Sequence, residues 1–185
     1  MKNTVEIISE RLILRKITNE DYKAIYECWT SDFEVSKYVT WNPHKTSDET
    51  QKLVNYWVDE YNKEHTYRWI VEKKDTKEII GMIDVINKNL QYMTAEVGYC
   101  YGSRYWGNGY ASEALTQVVN YLHNIGFVTV YAQHFESNKA SGKVMQNAGM
   151  QFEGTLKSRV INKLGEREDV CIYSSVENNQ NKKNK

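Results

Sequence analysis

The chain has 185 residues, 41% hydrophobic and 26% charged, with 24 Lys+Arg set against 24 Asp+Glu. That length and balance suit one folded domain with a sizeable core, and they argue against a dedicated nucleic-acid binder, whose surface is basic. No apolar run reaches the ~18 residues of a membrane span, Met1-Lys2-Asn3-Thr4 lacks the apolar stretch of a secretion signal, and Cys28, Cys100 and Cys171 are not in metal-ligand spacing, so a cytoplasmic protein with reduced thiols and no metal is expected.

Residues 9–16 alternate, with Leu12 and Leu14 on one side and Ile13 on the other, which predicts a first strand. Thr18 and Asp21 read as a capping pair for a helix over 19–31, with Ile25, Cys28 and Trp29 facing inward. An irregular aromatic stretch, 35–41, leads to Pro43. Thr46 and Glu49 form a second capping box ahead of Leu53, Val54, Trp57, Val58 and Tyr61 at helical spacing. Residues 67–72, 78–86 and 94–101 predict three strands, the first two joined by a polar turn. After a glycine-rich turn comes the most periodic helix, with Ala111, Ala114, Leu115, Val118, Val119 and Leu122 on one stripe and Gly126 at its end. Residues 127–135 are β-branched and aromatic, as in a strand. Asn138 caps a short helix that Gly149 closes, and 151–160 with 167–176 predict a hairpin. The order β-α-α-β-β-β-α-β-α-β-β is an α+β arrangement, a central, mostly antiparallel mixed sheet flanked by helices, filling one domain over 1–176; the Asn- and Lys-rich tail 177–185 is expected to be disordered.

The chemistry concentrates where the strand ending at Tyr101 meets the periodic helix. Gly102, Gly107 and Gly109 free the backbone there, and the amides that open a helix have no partner inside it, which makes an anion site. Three phosphate-loop patterns compete. Gly102 and Gly107 have Walker A spacing, but Asn108-Gly109 stands where Lys-Ser/Thr would hold a γ-phosphate. Residues 107–112 begin like a dinucleotide fingerprint, yet Ser112 replaces its third glycine and no evident βαβ pair surrounds the loop. Arg104, Gly107 and Gly109 fulfil Arg-x-x-Gly-x-Gly, followed by Tyr110-Ala111.

That third pattern resembles the coenzyme A loop of the GNAT N-acetyltransferases. Asn138-Lys139-Ala140-Ser141 with Gly149-Met150, the opening Ser9-Glu10-Arg11-Leu12-Ile13-Leu14-Arg15 and the strand Ala95-Glu96-Val97-Gly98-Tyr99 resemble the RimJ/RimL-like branch, in consistent order over residues 9–176. The resemblance implies a GNAT fold and acetyl-CoA as co-substrate. Acetyl-CoA would be held by Tyr99, Cys100, Tyr101, Arg104, Tyr105, Trp106, Gly107, Asn108, Gly109, Tyr110, Ala111, Ser112 and Asn138, with Arg104 facing phosphate. It also implies direct transfer to an amine acceptor, a ribosomal-protein N-terminus in this branch or a small amine, by a monomer or homodimer. A CoA-binding regulatory module of the same fold is the alternative.

Acetyl transfer needs a neutral amine, a polarised carbonyl and a proton for the leaving thiolate. Glu96, four residues before Cys100, is the candidate base, and alternation puts Glu96, Gly98 and Cys100 on one strand face. The resemblance implies a tyrosine acid on the last helix, but Met145 stands at that position and cannot donate; similarity to the RimL-like enzymes implies the serine matching Ser141 as the acid instead. The branch's further glutamate falls at or near Val160 and does not transfer. His134 is a reserve base. Cys100 lacks the His/Asn partners of a covalent route. Trp41, Trp57 and Trp69 are candidate walls for the acceptor.

Overall fold

The computed structural model describes residues 3–177; residues 178–185 of the predicted tail lie outside them. Eight strands form one sheet in the order β1-β2-β3-β4-β5-β6-β8-β7. They are β1 (Ile7–Ile8), β2 (Leu12–Arg15), β3 (Arg68–Lys73), β4 (Ile79–Asn89), β5 (Thr94–Tyr101), β6 (Thr129–Phe135), β7 (Gln151–Ile161) and β8 (Arg167–Val176). The helices are α1 (Tyr22–Ile25), α2 (Phe33–Ser36), α3 (Ser47–Glu60), α4 (Tyr110–Asn124) and α5 (Lys139–Asn147).

Alternation along the strands sorts the side chains into two layers. Leu12, Leu14, Trp69, Val71, Ile83 and Val97 pack on one face with Leu115, Val118 and Leu122 of α4 and Met145 of α5. Ile70 and Met82 pack on the other face with Ile25, Cys28, Trp29, Val35 and Val54. The α4 stripe is the one its periodicity predicts. Each of its fully buried leucines contributes on the order of 2 kcal/mol through burial.

Local chemistry explains where the elements depart from expectation. The predicted first strand, 9–16, forms only as β2, and an unpredicted β1 precedes it: the Leu12 amide donates to the Ser9 hydroxyl at 3.2 Å where the chain turns between them. The helix over 19–31 is a 3-10 turn (Asn19–Asp21), α1 and a π-helical turn (Tyr26–Thr30) in succession. Asp21 accepts from the Thr18 amide at 2.7 Å, as a capping pair should. The second capping box does not form: the Thr46 side chain makes no cap bond, and Glu49 accepts from the Lys45 amide at 3.2 Å instead. The aromatic stretch opens with the unpredicted α2, whose N-cap Asp32 accepts from the Glu34 amide at 2.9 Å.

One feature of the sheet creates the site. β5 and β6 are the parallel pair among the described strands, joined through α4 as a βαβ unit that the sequence reading did not identify. They pair only at Thr94–Thr129, Ala95–Val130 and Glu96–Tyr131. Beyond Glu96, β5 stays with β4 as far as Tyr101–Gly81, and β6 stays with β8 as far as Phe135–Val170. The sheet splits, and the backbone edges facing each other across the split have no strand partner.

Candidate active site

A cavity of about 690 Å³ occupies the split. Its walls are β5 from Val97 to Tyr101, β6 from Gln133 to Phe135, the glycine loop with the start of α4, and the first turns of α5. Among the predicted site residues, Tyr99, Cys100, Tyr101, Tyr105, Trp106, Gly107, Gly109, Tyr110, Ala111, Ser112, Asn138 and Ser141 all line it.

The loop is built by its own hydrogen bonds. The Tyr105 amide donates to the Gly102 carbonyl at 2.9 Å, and the Trp106 indole donates to the Tyr101 carbonyl at 2.8 Å. Asn108 Nδ2 donates to the Tyr105 and Trp106 carbonyls, each at 3.1 Å, so this side chain braces the turn and does not line the cavity. Gly107 and Gly109 both sit at φ +77°, where a side chain is strained. The first bond inside α4 runs from the Glu113 amide to the Gly109 carbonyl at 3.0 Å, which leaves the amides of Tyr110, Ala111 and Ser112 ahead of the helical ladder. Lys139 and Lys143 bring positive charge to the same cavity from α5.

Arg104 does not take the place expected of it. Its guanidinium lies 4.9 Å over the Tyr105 ring, neighbours Cys28 and Glu78, and is outside the cavity lining. Arg11, likewise outside the cavity lining, stands against the loop from behind, and its Nη1 donates to the Asn108 carbonyl at 3.0 Å.

Glu96 occupies the last paired rung before the split. Its carboxylate is buried and accepts from Gln133 Nε2 at 2.8 Å and from the Tyr131 hydroxyl at 3.3 Å. Glu96 is not itself in the lining; Gln133 is, and it links Glu96 to the cavity. Burial and the Glu96 charge push the Tyr131 phenol up. Sequence reasoning missed Gln133. The available signal was strand alternation, which places Gln133 on the same face of β6 as Tyr131, the register partner of Glu96.

Ser141 lies in the first turn of α5, and its amide donates to Asn138 Oδ1 at 3.2 Å. Its hydroxyl is 2.9 Å from the Tyr99 hydroxyl, which also reaches the Ser141 carbonyl at 3.0 Å. A carbonyl only accepts, so with both contacts made the phenol donates to it and the serine hydroxyl donates to the phenol oxygen. Burial raises the Tyr99 phenol well above its ordinary range. Met145 is buried in the core, where the tyrosine acid was expected.

Burial, followed by the Asp84 charge, also drives the Cys100 thiol far up. A protonated thiol is a poor nucleophile, which argues against Cys100 as a covalent acetyl carrier. His134 is 7% exposed, and its Nδ1 lies 2.7 Å from the Phe135 carbonyl. Its Nε2 is buried without a protein partner, as is the Tyr101 hydroxyl, and both residues line the cavity. Open loop amides, lysine charge and unpaired strand edges fit a long ligand with an anionic end and amide groups.

The far end of the cavity is apolar and aromatic, with Val35, Tyr38 and Val39 facing Phe135, Val160 and Val170. Trp41, Trp57 and Trp69 do not line it. Trp69 is fully buried and donates to the Val5 carbonyl at 2.6 Å, and Trp57 stacks under Arg68. Lys163, at the hairpin tip, donates to the Trp41 carbonyl at 2.5 Å, so the hairpin and the 35–43 segment meet across this end.

Comparisons with known proteins agree with this geometry. Among the described residues no helix is long and apolar enough to cross a membrane, and no cluster of side chains could hold a metal. The chain is 32% identical to the uncharacterized N-acetyltransferase YoaA of Bacillus subtilis, over 91% of this chain and 94% of YoaA. It is 24% identical to the [ribosomal protein uS5]-alanine N-acetyltransferase of Escherichia coli, over 85% of this chain and 84% of that protein. The crystal structure of a GNAT-family acetyltransferase from Bacillus anthracis superposes with a TM-score of 0.80 at 28% identity, covering 93% of this chain and 98% of the other. The model of the acetyltransferase (GNAT) domain matches residues 11–151. The chain belongs to the GNAT acetyltransferase family.

Proposed function

We propose that this acetyltransferase moves an acetyl group from acetyl-CoA directly to a primary amine, with Glu96 as base and Ser141 as acid. The observation that carries the reading is the split between β5 and β6, which opens a cavity lined by the unpaired helix-opening amides of the glycine loop and by the apolar side chains of 35–39. When bound, the co-substrate supplies a thioester carbonyl for the amine to attack. The loop amides and Lys139 and Lys143 hold its phosphates, and the open edges of β5 and β6 bind its amide-bearing arm.

A peptide α-amine, with a pKa of about 8, is roughly one-tenth neutral at pH 7, so positioning does much of the work. Glu96 accepts the amine's proton through a water at the Gln133 side of the cavity. Ser141 turns its hydroxyl proton from the Tyr99 oxygen to the departing sulfur as the new C–N bond replaces C–S, and takes a proton back from water. The acceptor is an amine flanked by apolar or small groups, and a ribosomal-protein N-terminus is the favoured class because the Escherichia coli relative is named for one. A cytoplasmic location belongs to the same proposal.

The test is transfer itself. The protein and acetyl-CoA are incubated with peptides beginning in alanine or serine and with small amines, reading thiol release and acetylated product by mass spectrometry. At least one of these acceptors should be acetylated, and Glu96→Gln should lower kcat by about 100-fold and flatten its rise with pH. Unchanged kcat across pH in that variant removes Glu96 from the role.

A further inference from the structure

Arg11 ends the turn between β1 and β2, far in sequence from the glycine loop, yet it touches that loop at two residues. Its Nη1 donates to the Asn108 carbonyl at 3.0 Å. Its guanidinium carbon lies 4.6 Å over the Tyr110 ring. A Cβ added at Gly109 would stand 3.5 Å from its Nη2. One guanidinium thus touches Asn108 and Tyr110 and borders the space beside Gly109 between them, where the backbone leaves its left-handed turn and α4 begins.

Arg11 is itself anchored. Its Nε donates to Glu113 Oε2 at 2.7 Å, its amide donates to Glu113 Oε1 at 2.8 Å, and the Ser9 hydroxyl reaches that same oxygen at 2.7 Å. Burial works to raise the Glu113 carboxyl, but the Arg11 amide, Ser9 hydroxyl and Arg11 guanidinium together hold it below its ordinary value. Glu113 therefore stays a carboxylate and fixes Arg11. A guanidinium held by two such anchors has little freedom left to lose when an anion arrives.

We propose that Arg11, clasped by a Glu113 carboxylate that Ser9 in turn holds, keeps the loop in its anion-binding form and places a fixed positive charge beside it. In this assignment the co-substrate's pyrophosphate is recognised with Arg11 as the positioning cation, the part the loop motif gives to Arg104. This rests on the acetyl-CoA reading above.

The test is calorimetric binding of acetyl-CoA, acetyl-3′-dephospho-CoA and acetylpantetheine, which lacks both phosphate sites, to the unaltered protein and to variants. Arg11→Ala should weaken acetyl-CoA and its dephospho form alike, by about tenfold or more, as losing one charge-assisted hydrogen bond implies. It should also flatten the salt dependence of binding. Acetylpantetheine affinity should be unmoved. Arg11→Lys and Glu113→Gln should fall between, and Arg104→Ala should lose less than Arg11→Ala. Equal losses for all three ligands would reduce Arg11 to a general folding contact and overturn the proposal. A loss confined to acetyl-CoA would move the contact to the 3′-phosphate and overturn the pyrophosphate assignment. If the unaltered protein binds acetyl-CoA and Arg11→Ala binds it equally well, the clasp alone fails; if the unaltered protein binds none, the acetyl-CoA reading fails first.

Discussion

Ser141 shows how much of a single residue's role is written in its spacing and how much is not. Its place in the first turn of α5 followed from Asn138 three residues earlier, and the structure bears out the cap. Its partner did not follow, because Tyr99 lies 42 residues away and meets it only once β5 and α5 are packed. The same holds for Gln133 and Glu96, 37 residues apart, and for Arg11 and Asn108, 97 apart. Arg104 shows the same limit: the motif fixes its backbone position, while Tyr105, Cys28 and Glu78 decide where its side chain turns. The Tyr99–Ser141 pair makes a definite prediction. Tyr99→Phe keeps the ring and removes the oxygen that orients the serine hydroxyl. It should lower kcat by about tenfold with little change in KM for acetyl-CoA, and adding Ser141→Ala should lower kcat only slightly further, since one unit is already broken. Losses that multiply would mean that the two hydroxyls act separately.

At the scale of elements, long periodic segments were legible and short irregular ones were not. α4 and β5 have the predicted extents because one stripe and one alternation dominate them. The π-helical turn over Tyr26–Thr30 and the short α2 lack such a pattern, and tertiary packing shapes them. α5 is seated by a contact no pattern reveals. A Cβ at Gly142 would fall 2.6 Å from His134 Nε2, so the helix lies against the β6 imidazole with no room for a methyl group. Gly142→Ala should destabilise the fold by about 1–3 kcal/mol in denaturant unfolding, despite alanine's better helix propensity. His134→Ala in the same chain should relieve much of that loss, so the double variant should lose less than the sum of the singles. Additive losses would show that the contact is not what limits the helix.

At the scale of the whole molecule, the α+β class, the element order and the family were legible, but the feature that makes the site was not. The strands say nothing by themselves about β8 inserting between β6 and β7, or about β5 and β6 parting after three rungs. Those are pairings between distant segments, set by which faces must be buried together. Their consequence is that a packed sheet carries an open seam, with a glycine loop at one end and the apolar 35–39 wall at the other. The most direct test is a calorimetric titration of acetyl-CoA into the unaltered protein and into Gly109→Val, where a β-branched side chain is forced to φ +77° beside Arg11. Saturable one-to-one binding by the unaltered protein, lost or weakened at least tenfold in a variant that keeps its fold by circular dichroism, is the expected result. Absence of binding to the unaltered protein, or equal binding by both, would contradict the assignment of this loop and seam to acetyl-CoA.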